Sequence, residues 1–273
     1  KLFQFYVLCR NWSTFEFQII SFKYTMKIAL IGYGKMGKAI HEIAKEKNER
    51  LGKKLYDISL IIDIDNRKSI TKEDLKKVDV AIEFTSPHTA VDNIKWCFDA
   101  DVPVVVGSTG WTEKLDNIKQ IALDNNKSFL FAPNFSIGVN VFFEINRILA
   151  KIMNDHEEYD VTMEEIHHTE KKDSPSGTAL YAALDVIQRM KRKSNWENME
   201  TRDASTLSII SKRIDNVPGT HTVTYESSID RIDLTHTARN RKGFASGALL
   251  AAEWLQNKKG VFTMEDVLGF NKH

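Results

Sequence analysis

The 273-residue sequence predicts an α/β protein with an N-terminal doubly wound, Rossmann-type parallel sheet and a second α+β domain with a mixed sheet. Up to about residue 133, short β-branched runs alternate with amphipathic helical segments, which is typical of parallel strands covered on both faces. Later segments alternate apolar and polar residues, as antiparallel strands with one buried face do. The length also exceeds what one small core requires.

Residues 1–25 differ from the rest of the chain in being aromatic-rich, and polar residues such as Arg10 and Glu16 interrupt their apolar runs. No apolar run reaches the roughly 18–20 residues that a membrane span needs. The order of regions in a secretory signal peptide is also absent. We therefore expect residues 1–25 to be an N-terminal extension outside the fold.

The first domain, residues 26–133, is predicted from five short apolar strands separated by helices. Continuous β-branched runs of this length favour buried strands, and apolar residues at helical spacing favour the intervening helices. In chain order the segments are strand 27–31, helix 37–48, strands 58–62 and 78–84, helix 88–100, strand 102–108, helix 114–126 and strand 128–132.

The second domain, residues 134–240, is predicted to bind substrate and to form the oligomer contacts. Its segments are helix 139–155, strand 160–168, helix 178–193 and strands 206–214, 221–227 and 230–238. The last two strands flank a Ser-Ser-Ile-Asp turn and predict an antiparallel pair. A final helix, 244–257, and the tail 260–270 follow, and we expect residues 241–273 to pack back on the first domain.

The composition excludes several classes of protein. With 38 basic and 37 acidic side chains, the charge balance favours neither nucleic acid nor an anionic membrane as a partner. Cys9 and Cys97 are far apart, so a disulfide framework is not expected, and the cytoplasm is the predicted location.

A glycine-rich loop follows the first predicted strand. Gly32, Gly34 and Gly37 have the G-x-G-x-x-G spacing and precede a predicted helix, which is the context that supports dinucleotide binding. Glycines there permit a tight turn, close approach of the pyrophosphate, and close packing of helix and strand. The alternative is a glycine-rich turn that binds no ligand.

Asp63 ends the second predicted strand, where Rossmann folds place an acid that binds the ribose. Such an acid repels a 2′-phosphate and favours NADH, although Arg67 and Lys68 downstream could attract that phosphate. The cofactor preference, NADH or NADPH, therefore stays open, as does a role for Asp63 as a simple turn cap.

Segment 164–180, EEIHHTEKKDSPSGTAL, concentrates groups that carry protons. His167 and His168 are neighbours on a strand and point to opposite faces, so we expect no shared metal ion, and no H-E-x-x-H pair occurs. Lysine is normally protonated at neutral pH, whereas histidine titrates near pH 6.5. The segment predicts a carboxylate site with a proton donor beside it, or else a solvated strand end with a helix cap.

The start of the following helix supports the first interpretation. Pro175 and Gly177 delay the helix, and either Ser176 or Thr178 can cap it. The free amides of Gly177 and Thr178 would then form an anion site.

Seven motifs occur in order between Gly32 and Leu268, within a match that covers essentially Met26 to Phe270: GYGKMG, VVGSTGW, APNFSIGVN, EIHHTEKKDSPSGTA, VPGTHTVTYES, HTARNRKGFASGALLAAEWL and KKGVFTMEDVL. In these motifs the chain resembles the 4-hydroxy-tetrahydrodipicolinate reductase (dihydrodipicolinate reductase) family of the diaminopimelate route to lysine. The resemblance implies an enzyme that reduces 4-hydroxy-tetrahydrodipicolinate, a small dicarboxylate, to tetrahydrodipicolinate with NADH or NADPH. It also implies a homotetramer built through the second domain's sheet, with hinge closure over the substrate.

The resemblance implies a role for each matching position. His167 would donate or accept a proton, Lys171 would donate one, and His168, Gly177 and Thr178 would hold the substrate's carboxylates. Arg241 would lie near the domain interface. The positions that would line the cofactor are Gly32, Tyr33, Gly34, Lys35, Met36, Gly37, Asp63, Gly107, Ser108, Thr109, Ala132, Pro133, Asn134 and Phe135.

The chain departs from the family pattern at Ser174, where Ala is common, and at Ile64, where a basic residue often follows the ribose-binding acid. The glycine loop is also one residue shorter than in many relatives. The alternatives are another two-domain dehydrogenase, such as one acting on an aldehyde or amino-acid semialdehyde, and a nicotinamide-sensing repressor. A phosphorylating dehydrogenase would need a nucleophilic cysteine, and a repressor would need a basic DNA-reading module.

Overall fold

The computed structural model describes residues 25–240 and 242–270. The predicted extension, apart from Thr25, therefore lies outside the described residues, and so does Arg241. The described residues form eleven strands and eight α-helices. The strands are β1 (Met26–Ile31), β2 (Tyr56–Ile62), β3 (Val80–Glu83), β4 (Val104–Val106), β5 (Ser128–Phe131), β6 (Asp160–His167), β7 (Asn195–Glu197), β8 (Thr206–Arg213), β9 (Gly219–Glu226), β10 (Arg231–Ala238) and β11 (Gly260–Phe262).

The helices surround two sheets. They are α1 (Lys35–Leu51), α2 (Lys72–Leu75), α3 (Ala90–Asp99), α4 (Leu115–Asp124), α5 (Ile137–Met153), α6 (Gly177–Ile187), α7 (Lys242–Leu255) and α8 (Met264–Leu268). No helix among the described residues is both long enough and apolar enough to cross a bilayer.

The first sheet has six parallel strands in the order β11-β5-β4-β3-β1-β2. One apolar cluster packs α1 and α7 against one face, and a second packs α3 and α4 against the other. Ile28 and Leu30 belong to the first cluster, and Ala29 and Ile31 to the second, because neighbouring strand residues point to opposite faces. The predicted doubly wound parallel sheet is confirmed.

The second sheet is mixed and has the order β10-β9-β6-β8-β7. β6 runs parallel to β8 and antiparallel to β9, and β9 and β10 form the predicted antiparallel pair. α5 and α6 cover one face, where Val161 and Met163 alternate with exposed or half-buried residues of β6. Burying such side chains contributes about 1.5–3 kcal/mol each, which explains why the period-2 pattern of β6 is strict.

The structure differs from the sequence prediction in several short elements. The tail forms β11, which pairs with β5 as a sixth strand, and then α8. Helix α6 ends at Ile187, before the predicted residue 193. The buried ammonium of Lys193 contacts the carbonyl of Thr206 and the carboxylate of Asp160, at 3.0 and 2.8 Å, so the chain leaves the helix to bring this side chain to the sheet. α2 and β7 were also not predicted.

Candidate active site

A cleft of about 1590 Å³ lies between the carboxyl ends of the first sheet and the end of β6. Several predicted site residues line it: Thr109, Ala132, Pro133, Asn134, His167, His168, Lys171, Gly177 and Thr178. The cleft brings residues from the two predicted domains to a common surface, which sequence positions alone could not establish. Ligands of open α/β sheets bind at this edge.

The glycine loop joins β1 to α1 at the carboxyl edge of the first sheet. Gly32 has φ +95°, and an added Cβ would lie 2.2 Å from the carbonyl oxygen of Phe84. A Cβ at Gly34 would meet no atom within 4 Å. Gly34 is also the N-cap residue of α1, with no side-chain cap on the first-turn amides. The open space and the free amides fit the pyrophosphate of a dinucleotide.

Tyr33, Lys35 and Met36 stand between the glycines. The Tyr33 hydroxyl is 2.8 Å from Nδ1 of His41, on α1. Lys35 is exposed and Met36 is half-buried against the core. Of the three, only Lys35 places an exposed cation at the start of α1.

Asp63 follows β2 and is exposed. Its Oδ1 accepts from the backbone N–H of Ile64 at 2.9 Å, and its backbone carbonyl accepts from the N–H of Arg67. The Arg67 guanidinium stacks on the ring of Trp96, 3.5 Å from the centroid. Asp63 thus caps a turn and still has its second oxygen, Oδ2, at the strand end where a ribose would lie.

The turns after β4 and β5 complete this edge. Ser108 is buried, and its Oγ accepts from the N–H of Thr85 at 2.7 Å, so it joins the ends of β3 and β4. Gly107 leaves room for the Phe84 ring, which an added Cβ would overlap at 2.1 Å. Phe135 is buried and packs against Phe84. The cleft is lined by Thr109 and residues 132–134. The packing beneath this edge of the sheet involves Gly107, Ser108 and Phe135.

At the end of β6, His167 and His168 point in opposite directions. The His167 side chain is buried on the α6 side of the sheet, and its ring meets that of His221 edge-on at 5.0 Å between centroids. An added Cβ at Gly219 would lie 2.9 Å from Nε2 of His167. His168 is half-buried on the other face, yet it also borders the cleft.

Helix α6 starts at Gly177, and Ser176 is its N-cap residue. The Ser176 Oγ accepts from the N–H of Ala179 at 3.2 Å and lies 3.0 Å from Nε2 of His221. The first intrahelical bond runs from Leu180 N–H to the Ser176 carbonyl, so the N–H groups of Gly177 and Thr178 have no intrahelical acceptor. Gly177 and Thr178 line the cleft, so their two free amides indicate a site there for a carboxylate.

Lys171 lies in the loop between β6 and α6. Its ammonium contacts both carboxylate oxygens of Asp173, at 2.8 and 2.9 Å. Hydrogen bonding and charge from Lys171 outweigh burial and hold the pKa of Asp173 below its ordinary value. Asp173 thus holds the Lys171 ammonium in the loop that leads to α6, and both Lys171 and the first residues of α6 line the cleft.

The carboxylate of Glu165 is buried at this site and was not predicted from the sequence. Glu165 and His167 are two positions apart on β6, so their side chains lie on the same face of the sheet. This spacing was the signal in the sequence that could have indicated their proximity. The oxygens of Glu165 lie 3.1 Å from Nδ1 of His167, 3.1 Å from the N–H of Ser176 and 3.1 Å from Nη2 of Arg213. Nothing in the sequence predicted that Arg213, at the end of β8, would reach this point.

Within the described residues, Glu165, His167 and His221 place one potential ligand atom each within 4.8 Å of one another. Arg213 and the Ser176 amide already contact the carboxylate, and Ser176 contacts His221. Burial, and then the neighbouring His167, lower the pKa of His221 to about 3, so its ring is neutral. We interpret the group as a hydrogen-bonded support of His167.

Comparisons with known proteins agree with the recognised motifs. The chain matches the family models described as "Dihydrodipicolinate reductase, N-terminus" over residues 26–135 and "Dihydrodipicolinate reductase, C-terminus" over residues 138–268. It is 47% identical to a 4-hydroxy-tetrahydrodipicolinate reductase of Christiangramia forsetii, over 89% of this chain and 98% of that protein. It is 36% identical to one of Methanococcoides burtonii, over 86% of each.

Among solved structures, dipicolinate-bound dihydrodipicolinate reductase from Paenisporosarcina sp. TG-14 matches with a TM-score of 0.72 at 22% identity. The match covers 89% of this chain and 99% of that one, and it shows a shared fold. The resemblance predicted from the motifs is confirmed by the two family models, which together span both sheets. The chain belongs to the dihydrodipicolinate reductase family.

Proposed function

We propose that this chain catalyses the NAD(P)H-dependent reduction of 4-hydroxy-tetrahydrodipicolinate to tetrahydrodipicolinate in the diaminopimelate route to lysine. The observation that carries the proposal is the cleft, where His167, Lys171 and the free amides of α6 face the carboxyl edge of a nucleotide-binding sheet. Family membership supports the reaction, and the site supplies the cations and donors that a doubly charged ring requires.

The residues divide into those that hold the ring and those that supply a proton. The amides of Gly177 and Thr178, at the positive end of α6, bind one carboxylate, and His168 contributes to binding. Lys171 supplies positive charge and a proton, and His167 gives or takes a proton. The ring loses its hydroxyl group as water to give a conjugated C=C–C=N system, to which the reduced nicotinamide, when bound, would supply a hydride. Proton transfer from a positioned group contributes roughly 10²–10⁴-fold to the rate.

The cofactor is held by the glycine loop, Asp63 and the turns after β4 and β5. We propose NADH as the preferred form, because the Asp63 carboxylate accepts from ribose hydroxyls and repels a 2′-phosphate. The Arg67 guanidinium is stacked on Trp96, which fixes its plane beside that site.

Calorimetric titration of NADH and NADPH, with and without pyridine-2,6-dicarboxylate, tests the preference. We expect the Kd for NADH to be lower than the Kd for NADPH. The substitution Asp63→Asn should reduce the ratio between these two Kd values. Asp65 is an exposed neighbour and serves as the control. If Asp65→Asn reduced the ratio of the two Kd values equally, the loss of negative charge alone would explain the effect, and Asp63 would have no specific role.

The enzyme is proposed to work as a homotetramer in the cytoplasm. The face of the second sheet opposite α5 and α6 supports the assembly, because it presents hydrogen-bonded threonine pairs and no helix of the described residues covers it. The free, buried thiol of Cys97 suits a reducing compartment. Cell fractionation tests the location, and a membrane or secreted fraction would contradict it.

Substituting the two proposed proton-transfer residues tests the catalytic assignment. We expect His167→Ala and Lys171→Ala each to lower turnover by at least about two orders of magnitude. The measurement is NADH consumption after adding pyruvate, aspartate semialdehyde and the upstream synthase. Matched controls are His156→Ala and Lys172→Ala, which change exposed residues of the same types and should leave turnover near normal. Near-normal turnover in both test variants would rule out the assignment.

A further inference from the structure

The buried carboxylate of Glu165 contacts three separate parts of the proposed site. It has no exposed surface, and its Oε2 accepts from the Ser176 N–H at the start of α6. The same oxygen lies 3.1 Å from Nδ1 of His167, a buried nitrogen that has no hydrogen bond among the described residues. The carboxylate is therefore the acceptor within reach of this nitrogen.

Arg213 extends the same network to the loop that carries Lys171. Its Nη2 is 3.1 Å from Oε1 of Glu165 and donates to the carbonyl of Asp173 at 2.6 Å. Its Nε donates to the carbonyl of Lys171 at 3.4 Å. One guanidinium thus connects the buried carboxylate to the backbone on both sides of residue 172.

The electrostatics of the network are consistent with an ionised carboxylate. Burial alone raises the pKa of Glu165, but hydrogen bonds involving His167 and Ser176 hold it below its ordinary value. Arg213 provides a fixed positive charge to balance it. A buried carboxylate with three donors is stabilised by them and orients each of them in turn.

We propose that Glu165, together with Arg213, is a positioning residue for the reaction. Glu165 holds a proton on Nδ1 of His167, so that Nε2 is the nitrogen that exchanges a proton with the substrate, and Arg213 holds the Lys171 loop in place. Neither side chain transfers a proton to the substrate. The inference rests on the proposed roles of His167 and Lys171.

A carboxamide at position 165 is a sharp test of this role. The substitution Glu165→Gln keeps the shape of the side chain but replaces one oxygen with an NH₂ group. This group must face His167 Nδ1, the Ser176 N–H or Arg213 Nη2, and it cannot accept a hydrogen bond from any of them. We expect kcat to fall by about 10–100-fold, because loss of an orienting carboxylate misplaces the base or its tautomer. The KM for NADH should stay within about threefold, since the cofactor binds across the cleft.

The matched control is Glu164→Gln. Glu164 is the adjacent residue of β6, points to the opposite face and pairs with Lys212. The substitution Glu164→Gln removes the same charge as Glu165→Gln but leaves the contacts of Glu165 and Arg213 intact. The kcat of this variant should be near that of the parent enzyme. Arg213→Lys is a second test variant, which keeps the positive charge. Lysine cannot contact Glu165 and the carbonyls of Lys171 and Asp173 at the same time, so part of the network is lost. We expect this variant to lower kcat about tenfold.

A readout independent of activity is the imidazole ¹⁵N spectrum of His167, assigned by its loss in His167→Gln. The parent enzyme and Glu164→Gln should show the Nδ1–H tautomer of the neutral ring, and Glu165→Gln should show a mixture or Nε2–H. An unchanged tautomer, or a kcat within about threefold of the control, would overturn the proposal. If Glu165→Gln fails to fold, Arg213→Lys decides by its kcat on the same threefold criterion. Normal turnover of His167→Ala would instead overturn the catalytic assignment itself.

Discussion

At the residue scale, the three glycines of the cofactor loop meet different physical requirements. Gly32 needs a positive φ, and Gly37 needs the absence of a Cβ, which would lie 2.2 Å from the carbonyl oxygen of Gly32. Gly34 faces open space, so its requirement comes from the ligand and not from the fold. The same sequence motif thus contains structural and binding positions.

This difference predicts opposite outcomes for two identical substitutions. Gly34→Ala should leave the thermal midpoint within about 2 °C of the parent but weaken NADH binding at least about tenfold, because the Cβ occupies the path of the pyrophosphate. Gly37→Ala should lower the free energy of unfolding by about 1–3 kcal/mol through overpacking. Thermal unfolding and NADH titration of both variants distinguish them. Equal destabilisation by both would contradict the assignment of Gly34.

At the element scale, an ion network joins α5, α6 and α8. Nη1 of Arg147 lies 2.7 Å from Glu265 of α8 and 3.8 Å from Asp185 of α6, which Arg189 also contacts. Burial raises the pKa of Asp185 to about 6 despite the two arginines. The desolvation of this carboxylate therefore exceeds the attraction of its partners.

A raised acid pKa in the folded state means that folding favours the protonated form. The contribution of Asp185 to stability is present below about pH 4 and is lost as the pH rises through about 6. We expect Asp185→Asn, which cannot ionise, to gain about 1–2 kcal/mol of stability relative to the parent between pH 4.5 and 7.5. Urea unfolding at both pH values measures the difference. Asp155→Asn, an exposed change of the same type, should show no such trend.

At the scale of the whole molecule, the described residues cover one face of the second sheet with helices α5 and α6 and leave its other face open. Thr222 of β9 pairs with Thr235 of β10 at 3.0 Å on the open face, and Thr220 pairs with Thr237 at 3.2 Å. A polar surface with such threonine pairs can be matched by the same surface of a second copy, as closed symmetry requires.

Light scattering should therefore give a mass of about 125 kDa, four times the 31.3 kDa of one chain. Thr222→Lys places a like charge at the centre of the face in every copy and should shift the protein to smaller species. Gln120→Lys on exposed α4 adds the same charge elsewhere and should leave the mass unchanged. A monomeric parent protein would refute the assembly.

Much of the architecture was predictable because it depends on local periodicity. The apolar runs of β1 to β5 and the alternation in β6 are properties of neighbouring residues, and burial follows from them. β11 was not predicted as part of the sheet, since three half-buried residues become a strand only when β5 offers an unpaired edge. The early end of α6 likewise depends on the contact of Lys193 with β8.

The sequence by itself determined the two sheet types, the glycine loop, and the residues expected to carry protons and bind carboxylates, because these follow from short-range pattern and residue chemistry. Only the tertiary structure decided that Glu165 and Arg213 support His167 and the Lys171 loop. Arg213 lies 48 residues from Glu165, and the parallel pairing of β6 with β8 brings the two together. No local pattern encodes a contact that depends on strand order and register.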